Sequence, residues 1–193
     1  MPESWSPYFK ASLEKPLHPI WRNIDPHLAS GQIALDLGCG AGGGVVHLLE
    51  KGLKVVAVDQ EAEALEITRS RIPEGAEVRL MKAQFQDLAL EFESLDVVIA
   101  LFSLFFLRSW ELGQVWKQIT QALKPGGIVA GQWLGVNDDW ADRGYTVHPK
   151  AEVEAFFRNF EILSFEEVER DGETILREPK HWHVFHIVAR KST

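Results

Sequence analysis

The sequence predicts an α/β fold: a doubly wound sheet of seven mostly parallel strands, with helices on both faces and one reversed strand near the C-terminus. From residue 30 onward, short apolar runs alternate with helical patterns, the arrangement that gives a parallel sheet covered by helices. A glycine-rich segment follows the first apolar run, where a strand passes into a helix. The last two predicted strands are too close in sequence for a helical crossover, so they must be antiparallel.

Five predicted strands and four predicted helices make up this pattern. The strands cover 33–37, 54–58, 78–83, 95–102 and 128–134. The strand at 95–102 is apolar on both faces, as expected for a central parallel strand. The helices cover 45–51, 61–71, a segment with apolar residues three or four apart from Leu112 to Leu123, and 150–158.

Both ends of the chain depart from the alternation. Residues 160–168 and 182–189 have the pattern of two strands, and the polar segment between them contains Asp171-Gly172 and Pro179. At the other end, residues 1–30 are rich in proline and aromatic residues, which indicates an arm packed on the domain rather than a disordered tail. We therefore expect an N-terminal arm or lid at 1–30 and one domain at 31–193.

Composition excludes several classes of protein. The chain has 193 residues with 20 Lys+Arg against 28 Asp+Glu, a formal charge of −8, which argues against a nucleic-acid partner. The only cysteine, Cys39, permits neither an intrachain disulfide nor a cysteine metal cage. Neither a secretory signal nor a membrane-spanning apolar run is evident. These features predict a cytoplasmic protein with no membrane partner.

The strongest motif is the segment Ala34-Leu35-Asp36-Leu37-Gly38-Cys39-Gly40-Ala41-Gly42-Gly43. Its glycines let backbone amides approach a ligand at the start of a helix. Asp59 follows Gly38 by 21 residues, at the end of the second strand, where a carboxylate can accept hydrogen bonds from ribose hydroxyls. Because Gly38, Gly40 and Gly43 also satisfy G-x-G-x-x-G, an NAD(P)-dependent oxidoreductase is one alternative.

Asp36 favours a second interpretation of the glycine loop over the oxidoreductase. An acid two residues before the first glycine resembles the first motif of the class I S-adenosylmethionine (SAM) methyltransferases, which have a Rossmann-like fold. Asp59, the segment 83–85 and the turn 123–127 match further motifs of that superfamily in order and spacing, and so does the reversed final strand. The segment 178–186 also resembles the end of the tellurite-resistance methyltransferases and their small-molecule relatives.

The resemblance implies SAM as cofactor and assigns roles to residues of this sequence. The implied cofactor-binding residues are Asp36, Gly38, Cys39, Gly40, Gly42, Asp59, Gln60, Gln84, Phe85 and Ala100. Gln84 departs from the superfamily, in which many members have an aspartate. The expected lining of the substrate pocket is Tyr8, Phe102, Phe105 and Trp133. No catalytic base is assigned, and the candidates are Tyr8, His181 and His183; we expect no metal.

The expected acceptor is a small molecule with a soft or apolar nucleophile, such as a thiol or a chalcogen oxyanion. Such groups need little help from a general base, so alignment and exclusion of water can supply much of the catalysis. Residues 100–103 lack the Asp/Asn-Pro-Pro-Tyr/Phe segment of enzymes that methylate nucleobase or glutamine amines. A non-catalytic SAM-binding protein is a further alternative.

Overall fold

A computed structural model describes residues 4–193 of the chain. The strands are β1 (Ile33–Leu37), β2 (Lys54–Asp59), β3 (Val78–Lys82), β4 (Leu95–Ala100), β5 (Leu123–Gly135), β6 (Val147–His148), β7 (Phe160–Glu173) and β8 (Pro179–Lys191). The α-helices are α1 (Ser6–Leu13), α2 (Trp21–Ile24), α3 (Gly43–Glu50), α4 (Ala62–Arg71), α5 (Ser109–Ala122) and α6 (Lys150–Phe156). No helix in this part of the chain has the length and apolarity needed to cross a membrane.

The strands form one sheet in the order β3-β2-β1-β4-β5-β8-β7. The pairs from β3 to β5 are parallel, and β8 is antiparallel to both β5 and β7. The predicted mostly parallel α/β sheet with a reversed strand near the C-terminus is therefore confirmed. The two-residue strand β6, which pairs with the end of β5, is an eighth strand that the sequence did not predict.

Several strand ends differ from the prediction. Strand β4 stops at Ala100 instead of residue 102, because Phe102 adopts a left-handed φ of 52°. Strand β5 begins at Leu123, and the Pro125-Gly126-Gly127 segment lies in a register shift between β4 and β5 rather than in a separate turn. The last two strands extend toward each other through the polar segment and form a long hairpin, paired as far as Glu173 and Pro179.

Strand side chains alternate between two apolar layers. On one face, Leu35 and Leu37 of β1 belong to the core that includes Leu112 and Ile119 of α5. On the other face, Ala34 belongs to the core formed with α2 and α3. Because side chains alternate along a strand, Asp36 points to the same face as Ala34.

A buried ion pair joins the hairpin to the loop after β5. Lys180 of β8 donates to Asp138, and both side chains are almost completely inaccessible. The Lys180 ammonium also lies 4.0 Å from the ring centroid of Trp182 and 4.6 Å from that of Trp140. Asp138 accepts a second bond from the backbone N–H of His183, at 3.0 Å. These contacts fix the end of the hairpin at the carboxyl edge of the sheet.

Candidate active site

The glycine loop at 38–42 connects β1 to α3 at the carboxyl edge of the sheet. The N–H groups of Gly38 and Cys39 donate to the Val58 carbonyl of β2, at 2.9 and 3.1 Å. The next residue, Gly40, donates its N–H to the Asp59 carboxylate at 2.9 Å. The end of β2 therefore orders the loop through the backbone and through one acidic side chain.

Asp59 is the residue that links the loop to α4. Its second carboxylate oxygen accepts the N–H of Glu61 at 2.9 Å, just before α4 begins. Burial raises the pKa of Asp59, and the bonds from Glu61 and Gly40 partly oppose this effect. A carboxylate that keeps free lone pairs at the end of β2 can accept hydrogen bonds from the hydroxyls of a sugar.

Asp36 is a second buried acid beside the loop. A Cβ on Gly44 of α3 would lie 3.0 Å from the Asp36 carboxylate and 3.2 Å from the Trp21 ring, so both side chains pack against the start of this helix. Burial, together with the charge of Asp59, raises the pKa of Asp36 to about 7. Within residues 4–193, neither carboxylate forms an ion pair with a lysine, arginine or histidine. Two buried acids without a cation favour a positively charged ligand.

Three further residues of the implied cofactor site, Phe85, Gln84 and Gln60, differ in how close they lie to the loop. Phe85 is half-buried, and its ring lies 3.4 Å from where a Cβ on Gly38 would be. Gln84 is exposed, and its side-chain oxygen accepts a bond from Gln86 at 2.7 Å. Gln60 is also exposed. Phe85 is thus in place to contact a flat ring, whereas Gln84 would have to exchange its present partner.

The N-terminal arm lies on the glycine loop. Phe9 of α1 is buried against Ala41 and Ala64, and its ring is 4.0 Å from where a Cβ on Gly40 would be. Tyr8 is half-buried in the same cluster, and burial raises the pKa of its hydroxyl, with the charge of Asp59 adding to the effect. Trp5 crosses to the segment after β4, with its ring centroid 5.3 Å from that of Phe106. The arm therefore extends from the glycine loop to the segment after β4.

Phe102 and Phe105 of the predicted pocket, and Ala100 of the implied cofactor site, lie at or just after the end of β4. Phe102 is half-buried at the end of β4, with its ring 5.4 Å from His18 and 6.1 Å from Trp182. Phe105 is buried nearby, in an apolar cluster with Leu134 and Val184. Ala100 is fully buried, and a Cβ on Gly131 would lie 2.8 Å from its carbonyl oxygen.

Trp133 lies in the core and not in a pocket. Its ring centroid is 5.5 Å from Trp116 of α5 and 5.0 Å from Phe157. The prediction relied on its position near the carboxyl end of β5, but alternation along the strand turns Trp133 toward α5. Its neighbour Gln132 faces the opposite side and reaches Phe102, whose backbone N–H donates to the Gln132 amide oxygen at 2.8 Å.

The two histidines proposed as bases are already engaged within the hairpin. His183 is buried, its Nδ1 accepts the N–H of Asn137 at 3.2 Å, and its Nε2 lies 3.2 Å from Glu167. His181 is more exposed, and its 2.7 Å contact with Asp171 raises the pKa of its imidazole. Both nitrogens of His183 are therefore engaged, while the Nε2 of His181 lies 3.7 Å from Glu169.

Cys39 has the environment of a packing residue rather than a nucleophile. Burial raises the pKa of its thiol, and the charges of Asp36 and Asp59 add to the effect, so the reactive thiolate is disfavoured. Among residues 4–193, no three or more histidine, cysteine or acidic residues lie together in a position to bind a metal ion.

Three polar residues that the sequence did not single out meet at the carboxyl edge. They are Gln132, His186 and His18, and Gln132 and His186 are cross-strand partners on β5 and β8. One signal was available, because Gln132 is a polar residue within an otherwise apolar strand. No pattern in the sequence indicated His18, because its position depends on how the arm folds back over the sheet.

Replacing Gly38 with alanine should destabilise the protein and weaken the binding of any ligand at the loop. Gly38 has a φ of 79°, and a Cβ there would lie 2.6 Å from the Cβ of Ser103. Backbone strain of this kind costs about 1–3 kcal/mol, before the clash is relieved. Melting temperatures measure the effect. Gly113→Ala in α5 is the matched control, since nothing lies within 4 Å of a Cβ at that position; equal melting temperatures for the two variants would contradict the prediction.

Part of the sequence matches a known protein family and several curated proteins. Residues 34–127 match the family model described as a methyltransferase domain. The magnesium-protoporphyrin O-methyltransferase of Rhodobacter capsulatus is 30% identical over 122 residues, which cover 57% of this chain and 54% of that protein. The cypemycin N-terminal methyltransferase of a Streptomyces species is 33% identical over 99 residues, covering 50% and 40%. The chain thus spans about half the length of the curated relatives that it matches.

Solved structures share the fold over nearly the whole chain. A SAM-dependent methyltransferase from Methanosarcina mazei superposes with a TM-score of 0.71 at 22% identity, covering 92% of this chain and 99% of the other. TehB from Haemophilus influenzae superposes with a TM-score of 0.79 at 16% identity, covering 96% and 66%. The fold is that of the class I SAM-dependent methyltransferases. The similarity of residues 34–127 to the methyltransferase-domain model falls within this shared fold.

Proposed function

We propose that the protein is a SAM-dependent methyltransferase that acts on a small molecule. The observation that carries the proposal is the pair of buried acids, Asp36 and Asp59, beside a glycine loop at the carboxyl edge of the sheet. This edge is where ligands bind in open α/β sheets. A neighbour of the same fold from Burkholderia thailandensis, a 1,6-didemethyltoxoflavin N1-methyltransferase, was crystallised with its acceptor and S-adenosylhomocysteine (SAH).

The residues present fit the cofactor. Gly38 lets the loop backbone pass close to Ser103, and the Phe85 ring lies against the same glycine. Across the residues that the structure describes, 4–193, neither acid has a cationic side chain as partner. Asp59 would accept the ribose hydroxyls, while Asp36 would orient the loop or accept from the amino group. SAM supplies an electrophilic methyl group on a positively charged sulfur. The chain would align the two reactants and exclude water from them, with α1 as the cover.

The acceptor is proposed to be a small, soft or apolar nucleophile, such as a thiol or a chalcogen oxyanion. The apolar and aromatic wall formed by Phe102, Phe105, Phe106 and Trp5 at the expected acceptor end supports this choice. A thiol is already partly ionised near neutral pH and needs little help from a base.

Transfer of a labelled methyl group from SAM tests the proposal. The panel contains thiols, selenite, tellurite, phenols and small carboxylates, each with and without enzyme. We expect enzyme-dependent label in at least one class, together with stoichiometric SAH. Binding of SAM with no transfer to any acceptor would favour a non-catalytic SAM-binding protein instead, and reduction or oxidation coupled to NAD(P)H would favour the oxidoreductase alternative.

A further inference from the structure

Two buried polar side chains at the carboxyl edge each carry an atom without a partner. Gln132 is fully buried and His186 is 8% exposed, and they face each other across β5 and β8. In the part of the chain that the structure describes, the Gln132 amide nitrogen and the His186 Nδ1 have no hydrogen-bond partner. An unsatisfied buried polar group destabilises the folded protein, so two together on one face indicate a place that a bound group completes.

The orientation of the Gln132 amide is determined by its other contact. The backbone N–H of Phe102 donates to the side-chain oxygen of Gln132 at 2.8 Å, so the NH₂ group points the other way and must act as a donor. Burial, with smaller effects from His18 and Arg170, lowers the pKa of His186 to about 4. His186 is therefore neutral near pH 7, with one ring nitrogen available as an acceptor.

The surroundings of this pair are aromatic. The His18 ring lies 4.8 Å from the His186 ring, and Phe102 lies 5.4 Å from His18. The Nδ1 of His18 accepts the N–H of Ile20 at 3.2 Å, which keeps this ring in place. The pair is also adjacent to the cofactor loop, because the residue after Phe102 is Ser103, the neighbour of Gly38.

The charges that face the pair are balanced. On β7, Glu166 pairs with His186, and Arg170 pairs with Trp182 on the same face of the hairpin. One acid and one base leave no excess of positive charge to attract an oxyanion such as selenite. The pair therefore suits a neutral group that can accept one hydrogen bond and donate another.

We propose that Gln132 and His186 bind the reacting group of the methyl acceptor, and that this group is a neutral hydroxyl or thiol on a small aromatic molecule. The inference rests on the proposed function. A single O–H or S–H group can accept from the Gln132 amide through a lone pair and donate its proton to the free nitrogen of His186. The ring that carries the group would lie against Phe102, His18 and Trp182.

This arrangement also gives the proton a destination. A lone pair of the acceptor forms the new bond to the methyl carbon, while the carbon–sulfur bond breaks and its electron pair stays on sulfur. The O–H or S–H proton moves to the ring nitrogen of His186. The positive charge thus passes from sulfur to the imidazole, and the methylated acceptor leaves as a neutral molecule.

Calorimetric binding of phenol, thiophenol and toluene tests the subsite. The three probes have similar size, but toluene lacks the X–H group. At pH ~5.5, where thiophenol keeps its proton, we expect phenol or thiophenol to bind the wild type about tenfold more tightly than toluene, because the X–H group makes two hydrogen bonds. Gln132→Leu and His186→Phe each remove one of these two bonds, so in each variant the ratio should fall to about threefold. His186→Phe leaves the Gln132–Phe102 contact intact, so it remains informative if Gln132→Leu does not fold.

His27→Phe is the matched control, because this half-buried histidine bonds Arg190 at the opposite end of the sheet. Equal binding of all three probes to the wild type, no binding of any, or an unchanged ratio in both variants would overturn the subsite; the first is expected if Gln132 and His186 only bind a buried water. Each titration is run with and without SAH. Failure of SAH to bind contradicts the proposed function, while the probe ratio still tests the subsite.

Discussion

Asp59→Ala should abolish most of the stabilisation that SAM or SAH gives to the wild type. The substitution removes the expected acceptor for the ribose hydroxyls. It also leaves the N–H groups of Gly40 and Glu61 without the carboxylate that each now contacts at 2.9 Å. Hydrogen bonds to a charged group contribute about 1.5–3 kcal/mol each, so we expect cofactor affinity to fall at least tenfold and the unliganded protein to melt earlier.

The shift in melting temperature at saturating SAH measures this loss, because a ligand that binds only the folded state raises the melting temperature. Glu74→Ala is the control, since Glu74 is exposed in the turn before β3. A ligand-induced shift of wild-type size in Asp59→Ala would mean that Asp59 does not contact the ribose.

The second large effect concerns Asp36 and pH. Its pKa of about 7 in the folded protein lies well above the ~4 of an unfolded aspartate, so the folded chain binds this proton more tightly. The resulting stabilisation is fully present below pH ~4 and is lost as the pH rises through about 7. The loss amounts to about 3–4 kcal/mol in the unliganded protein, and Asp36→Asn should remove it.

Binding of the cationic cofactor should favour the deprotonated form of Asp36 instead of the protonated form. A positive ligand beside Asp36 stabilises the carboxylate, so SAM binding below pH ~7 must displace a proton, and affinity should rise by up to about tenfold per pH unit in that range. Calorimetry in buffers of different ionisation enthalpy measures the proton released. Asp36→Asn should bind without this proton release, and an identical pH profile in the variant would assign the titration to another group.

The fold could be predicted because its signals are local. The central strands β1, β2 and β4 are short and largely apolar, and the segment from Gly38 to Gly42 is a turn whose positive φ angles favour glycine. The reversed strand followed from the short connection before β8. The lengths of β7 and β8 could not be predicted, because polar residues such as Glu169 and Asp171 remain in strands when the backbone of the hairpin pairs with itself.

The candidate site could be predicted in part. Asp36 and the glycines are nearly contiguous in sequence, and Asp59 follows at the end of the next strand, so motifs and their spacing were sufficient to indicate them. Trp133 was misplaced because the direction of a side chain depends on the register of β5 against β8. Gln132, His186 and His18 come from three distant segments, and only the folding of the arm and hairpin brings them together.

The most direct test of the account is a comparison of ligands on the wild-type protein by thermal melting. SAM and SAH, each at saturating concentration, should raise the melting temperature, because the proposal has both bind at the glycine loop beside Asp36 and Asp59. NAD(H) and NADP(H) should leave it unchanged. A rise with the nicotinamide cofactors alone, or no rise with SAM or SAH, would contradict the proposal that this protein is a SAM-dependent methyltransferase.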